Sequence, residues 1–151
     1  MTQKIFSILF LIALSLPFQS KAEPVAGILG NWFAEETLFG RDVSFRLGFS
    51  FTEDRARLSV QCAYRDGQLL ETFATARVQY DGNNIYITER NEGLVNDGFH
   101  YCRATLDHSR WEAYFDGTGK MVLFVPVPYQ ARFTLVRDIP DEGGFTFFPK
   151  Y

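Results

Sequence analysis

The stretch VSFRLGFSF, residues 43–51, alternates without a slip. Val43, Phe45, Leu47, Phe49 and Phe51 fall on one face of an extended chain, and Ser44, Arg46, Gly48 and Ser50 fall on the other. A two-residue period marks a strand with one buried face, because successive side chains point to opposite sides. The pattern recurs along the chain. ARLSVQCAY sets Leu58, Val60, Cys62 and Tyr64 against Arg57, Ser59 and Gln61, and LETFATARVQY offers Leu70, Thr72, Ala74, Ala76, Val78 and Tyr80. NIYITE, FHYCRATL, RWEAYF, KMVLFV and YQARFTLVR follow, and nothing reads as a long amphipathic helix. Turn signals separate the runs at Glu53-Asp54, Asp66-Gly67, Asp81-Gly82, Asp107-His108 and DGTGK, residues 116–120. Asp-Gly between alternating runs is a hairpin signal, since glycine takes positive φ at no steric cost.

The count is roughly eight or nine short strands joined by tight turns. One segment departs from this, RNEGLVNDG at residues 90–98, read as a loop over one end or a short helical turn. A meander of this length removes its exposed edges by closing on itself, so the fold class is all-β, an antiparallel up-and-down barrel. A jelly roll or open sandwich shares the composition. An immunoglobulin-like sandwich would place a Trp between its two cysteines and a Tyr two residues before the second. Here Trp32 and Trp111 lie outside the pair and Tyr101 is adjacent to Cys102. A transmembrane barrel needs strands of about 9–11 residues with a continuous lipid-facing band, and several runs are shorter.

The chain opens with MTQK, a short basic segment, then an apolar run IFSILFLIALSLPF, then QSKA with small residues at Ser20 and Ala22. This is the layout of a secretory signal peptide over residues 1–22, and it places the protein in the periplasm or outside the cell. Removing its two lysines takes the formal charge from −3 to about −5. The remaining cations are mostly single arginines along the strands, so no basic stripe for nucleic acid is present. No segment of the mature chain is apolar enough for a transmembrane helix. Two cysteines in an exported chain, Cys62 and Cys102, are expected to form a disulfide. Closing a loop of about forty residues is worth roughly 4 kcal/mol. A metal site on His100, Cys102 and Cys62 is the competing use of these side chains.

Two further marks lie near the ends of the strand succession. LGNW places Trp32 at the first strand, and FTLVRD places Arg137 on the last. In this the sequence resembles the lipocalin-like (calycin) barrels, as a short bacterial-type secreted member. The resemblance covers residues 29–138 and implies an eight-stranded barrel in which Trp32 seals the closed end and Arg137 stacks across its ring. It also implies a lumen for one small hydrophobic molecule. Strand parity assigns Phe45, Leu47, Phe49 and Trp111 to the apolar lining, with Tyr64, Thr72, Tyr80 and His100 as polar groups for a ligand head. The organisation is then a leader at 1–22, a barrel domain at 23–138 and an aromatic tail at 139–151, where Phe145, Phe147, Phe148 and Tyr151 follow a glycine-rich break.

The expected activity is binding. The sequence carries no nucleophile elbow, zinc-protease helix or phosphate-binding glycine loop, and it calls for no cofactor. Large aromatics in so small a barrel also allow a filled interior, and a bridge between two inward cysteines would cross and flatten the lumen. A filled barrel would act instead as a protein-interaction module, an envelope-associated inhibitor or adaptor, through residues 90–98 or the tail.

Overall fold

In a computed structural model, residues 24–106, 110–125 and 131–138 are described. The leader, the Asp107-His108 turn and the aromatic tail lie outside them. The alternating runs pair where their apolar faces coincide. The strands are β1 (Gly30–Ala34), β2 (Leu38–Phe39), β3 (Val43–Phe51), β4 (Arg55–Tyr64), β5 (Leu69–Asp81), β6 (Asn84–Asn91), β7 (Gly93–Asn96), β8 (Tyr101–Ala104), β9 (Arg110–Phe115), β10 (Met121–Val125) and β11 (Ala131–Arg137). The main sheet runs β1-β11-β10-β9-β6-β5-β4-β3, and β1 pairs again with β3. That last pairing closes an eight-stranded antiparallel barrel, with β2 added on the edge of β3. No described residue is helical.

Register carries one face around the whole ring. Phe49 sits opposite Leu58, Leu58 opposite Ala74, Val78 opposite Ile87, and Ile85 opposite Trp111. Leu123 sits opposite Ala113 and Phe133, and Trp32 opposite both Phe49 and Arg137. Apart from Arg137, these side chains belong to a single core, with Phe133 partly buried against it. Rings meet across the lumen: Phe49 of β3 lies 6.1 Å from Trp111 of β9 and 5.8 Å from Phe133 of β11. Burial of such aromatics is the main drive for closure.

One end is sealed by the turns at 52–54, 81–83 and 116–119 and by the segment preceding β1. Val25 N–H bonds to Gly82 O, and Ile28, fully buried, lies beneath the first strand. Trp32 is buried and donates its indole N–H to Ile28 O at 2.8 Å. The Arg137 guanidinium stands 4.5 Å over the Trp32 ring and donates to the carbonyls of Gly27 and Leu29. Such a cation–ring contact contributes about 0.5–2 kcal/mol. Gly30 explains the first residue of the Gly-x-Trp triplet. Its φ is +128°, and a Cβ there would meet Arg137 Nη1 at 3.0 Å.

The structure corrects one strand assignment. FHYCRATL is not a barrel strand: residues 101–104 form β8, which pairs with β7 in a separate two-stranded hairpin between β6 and β9. The segment at 90–98 is accordingly the end of β6, then β7 and its turn, with no helical turn. The hairpin packs on the lumen-facing side of β4 and β5 at the end opposite the Trp32 seal.

Candidate functional site

At the end of the barrel opposite Trp32 the hairpin meets β4 and β5. Cys62 of β4 points inward, on the face shared by Val60 and Leu58, and is bridged to Cys102 of β8 with a Cα–Cα distance of 5.9 Å. The bridge therefore ties an inserted hairpin to one wall. It does not cross the barrel between opposite strands, so the expected flattening does not occur. With both sulfurs bonded, the metal set of Cys62, Cys102 and His100 has no thiolate to offer.

Close approach to the wall depends on Gly93 at the start of β7. A Cβ there would stand 2.1 Å from Phe73 O and 2.4 Å from Thr72 Oγ1. On the inner side of the hairpin Cys102 and Ala104 are buried, and Leu106 beyond it is buried as well. On the outer side Tyr101 and Leu94 are exposed.

Tyr64 and His100 fasten the tip of this hairpin. The Tyr64 hydroxyl donates to Tyr101 O and accepts from Tyr101 N–H, and its ring lies 4.3 Å from the His100 ring. His100 reaches Asp66 of the β4–β5 turn through Nε2 at 2.9 Å and Asp97 through Nδ1 at 3.3 Å. Asp97 in turn accepts the N–H groups of His100 and Phe99. Those two backbone donors, His100 first, hold the Asp97 carboxyl below its ordinary 3.8. Because the folded pKa is depressed, this support for the turn is present above 3.8 and is lost as pH falls through the lowered value. An acid titration followed by NMR should show the Phe99 and His100 amide shifts holding to below that ordinary value. Collapse of both shifts above it would contradict the assignment.

The polar set expected to orient a ligand head is divided. Tyr80 faces inward, but at the sealed end, where its hydroxyl donates to Thr52 O at 2.7 Å. Burial, with the Asp54 charge adding, pushes this phenol well up, so it remains a donor. Thr72 faces the hairpin at Gly93, and Tyr64 and His100 are occupied by the hairpin tip. Tyr64, Thr72 and Tyr80 sit at different heights along their strands, and His100 lies in the hairpin turn rather than on a barrel strand.

The apolar set is brought together. Phe49 and Trp111 lie deep, 2% and 3% exposed, with Leu47 beside them. Above them, Phe45 and Val43 of β3 and Phe133 and Ala131 of β11 point inward but are only partly buried. β1 ends at Ala34, short of this level, and β2 takes up the edge of β3 there, with Leu38 opposite Phe45. Val43 shares the face of Phe45 read from the sequence but was not assigned to the lining, and neither was Ala131. At this depth Trp111 Nε1 is a buried donor with no hydrogen-bond partner. An unmet buried donor costs about 1–3 kcal/mol.

A concavity of about 340 Å³ lies where the β5–β6 register shifts between Thr75 and Arg77. It is lined by Arg55, Arg77, Glu89, Arg90 and Asn91, but Arg77 is paired with Glu89 at 3.1 Å and Arg90 donates to Leu106 O. Its cations are engaged within the fold. Compared with protein-family models, curated proteins and solved structures, the chain matches none of them.

Proposed function

We propose that this is an exported binding protein of lipocalin-like type that holds a small, largely apolar molecule in the mouth half of its lumen. The observation that carries the reading is Trp111 Nε1, a buried donor with no partner, below the partly buried Phe45 and Phe133, whose level is the vestibule of this proposal. Ligand sites are mostly apolar concavities with a few placed polar groups, and a lone indole N–H selects a molecule with one hydrogen-bond acceptor. The deep half is filled by Trp32, Phe49, Phe51 and Leu135, which favours a compact ligand over a long chain. The disulfide agrees with an oxidising, exported setting. Among the described residues no helix is long and apolar enough to cross a membrane.

Native mass spectrometry of the protein purified without detergent, compared with the same sample after denaturing extraction, tests the reading. An extra mass lost on extraction is expected. Phe45→Asp should abolish it, because a carboxylate in the vestibule wall is incompatible with an apolar ligand. Trp111→Phe keeps the ring and removes the donor, so affinity should fall about tenfold, the value of one net hydrogen bond. A bare mass, or equal retention by Phe45→Asp, would refute the proposal. Phe49 is unsuited to this test, since its ring is core to the fold.

A further inference from the structure

Phe99 is 94% exposed on a turn that is held in place. Gly98 N–H donates to Asn96 Oδ1 at 2.8 Å, Phe99 and His100 N–H donate to Asp97 Oδ1 at 2.9 and 2.7 Å, and Asp97 N–H donates to His100 O at 3.1 Å. The His100–Asp66 contact then fastens the turn to the barrel. A ring presented so fully on a braced turn has no cover within its own element. Phe39, 83% exposed, stands at the end of β2. Register puts both at the mouth: Phe39 lies opposite Ser44, Ser44 opposite Ala63, and neighbouring Tyr64 binds the hairpin at Tyr101. Leu69, Leu94 and Tyr101, each more than half exposed, belong to the same rim.

We propose that this rim docks on a zwitterionic phospholipid surface, with Phe39 and Phe99 entering the boundary between headgroups and acyl chains. Two observations favour lipid over a protein partner of matching shape. The apolar side chains stand on separate elements, β2, the start of β5 and the hairpin, and a fluid boundary receives separated rings one by one. Among the described residues the rim also has no excess of positive charge. Arg65 pairs with Asp42 and Arg103 with Glu92, while Asp66 and Asp97 add carboxylates. That balance does not attract anionic lipid, and it leaves apolar transfer as the driving term. The inference goes beyond the lumen reading and stands without it, since neither ring lines the vestibule.

The test is sedimentation of the processed, released protein with phosphatidylcholine vesicles. Wild-type protein is expected to partition, Phe39→Ser and Phe99→Ser each about tenfold less, and the double variant about a hundredfold less. Phe73→Ser, on the outer wall, should leave partitioning unchanged. Phe99→Trp should show blue-shifted emission with vesicles, against a constant background from buried Trp32 and Trp111. Binding should persist at about 0.5 M salt, where charges are screened within a few ångströms. Absence of partitioning, equal partitioning of the double variant, or binding confined to anionic vesicles and abolished by salt would overturn the proposal. So would an unshifted Phe99→Trp spectrum, which would return the rim to a protein partner.

Discussion

Gly93→Ala is expected to lift the β7–β8 hairpin from the lumen wall while the eight-stranded barrel stays paired. The added methyl would fall 2.1 Å from Phe73 O and 2.4 Å from Thr72 Oγ1. The nearer contact is a backbone atom of a strand hydrogen-bonded to β4, so it cannot swing aside. Overpacking typically costs about 1–3 kcal/mol, and a backbone clash lies at the upper end, so the hairpin should lose about 3 kcal/mol of local stability. Hydrogen exchange reads this directly. Amides of Val95 and Cys102 should lose about two orders of magnitude of protection, while Leu58 and Ala74 in the wall keep theirs. Thr72→Ala should not rescue the variant, because it leaves the Phe73 carbonyl in place. Unchanged protection at Val95 and Cys102 would show that the hairpin does not depend on this approach.

That dependence also explains what could be read from the sequence. Barrel closure was legible because one face of each strand is buried. Phe49, Leu58, Ala74, Val78, Ile87 and Leu135 all obey the two-residue period, and they lie together. Trp32 and Arg137 were marked by the resemblance, not by alternation, and the guanidinium stands over the ring. The hairpin was not, because Tyr101, Cys102, Arg103 and Ala104 alternate exposed and buried just as a barrel strand does. What separates them is a glycine against a carbonyl, a tertiary fact with no local pattern. Height along the barrel was equally hidden. Tyr80 and Tyr64 share a face, yet one bonds to Thr52 at the sealed end and the other to Tyr101 at the mouth. Alternation fixes the side of a residue and says nothing of its level, which follows from strand stagger. Phe39 and Phe99 escaped notice for other reasons: Phe39 lies outside the alternating runs, and Phe99 shares the outer face of FHYCRATL with Tyr101 and Arg103, where alternation makes an exposed ring ordinary.

Removing the bridge with Cys62→Ala and Cys102→Ala together should lower stability by about 4 kcal/mol, the chain-entropy value for a loop of this length. For a domain of this size the melting temperature should fall on the order of 15 °C, measured by calorimetry. The loss has a local part as well. Both sulfurs are at most 1% exposed, so a thiol reductant reaches the bridge only after the hairpin leaves the wall. Native protein should therefore resist dithiothreitol, and Gly93→Ala, which opens the hairpin, should be reduced about a hundredfold faster. The two variants then report on one event from two sides. Covalent tethering keeps the hairpin near the mouth, and the glycine contact keeps it seated on β5. If Gly93→Ala and wild type were reduced at the same rate, the bridge would be yielding through some other opening. If the double cysteine variant melted with the wild type, the tether would be idle and the hairpin held by Tyr64, His100 and Gly93 alone.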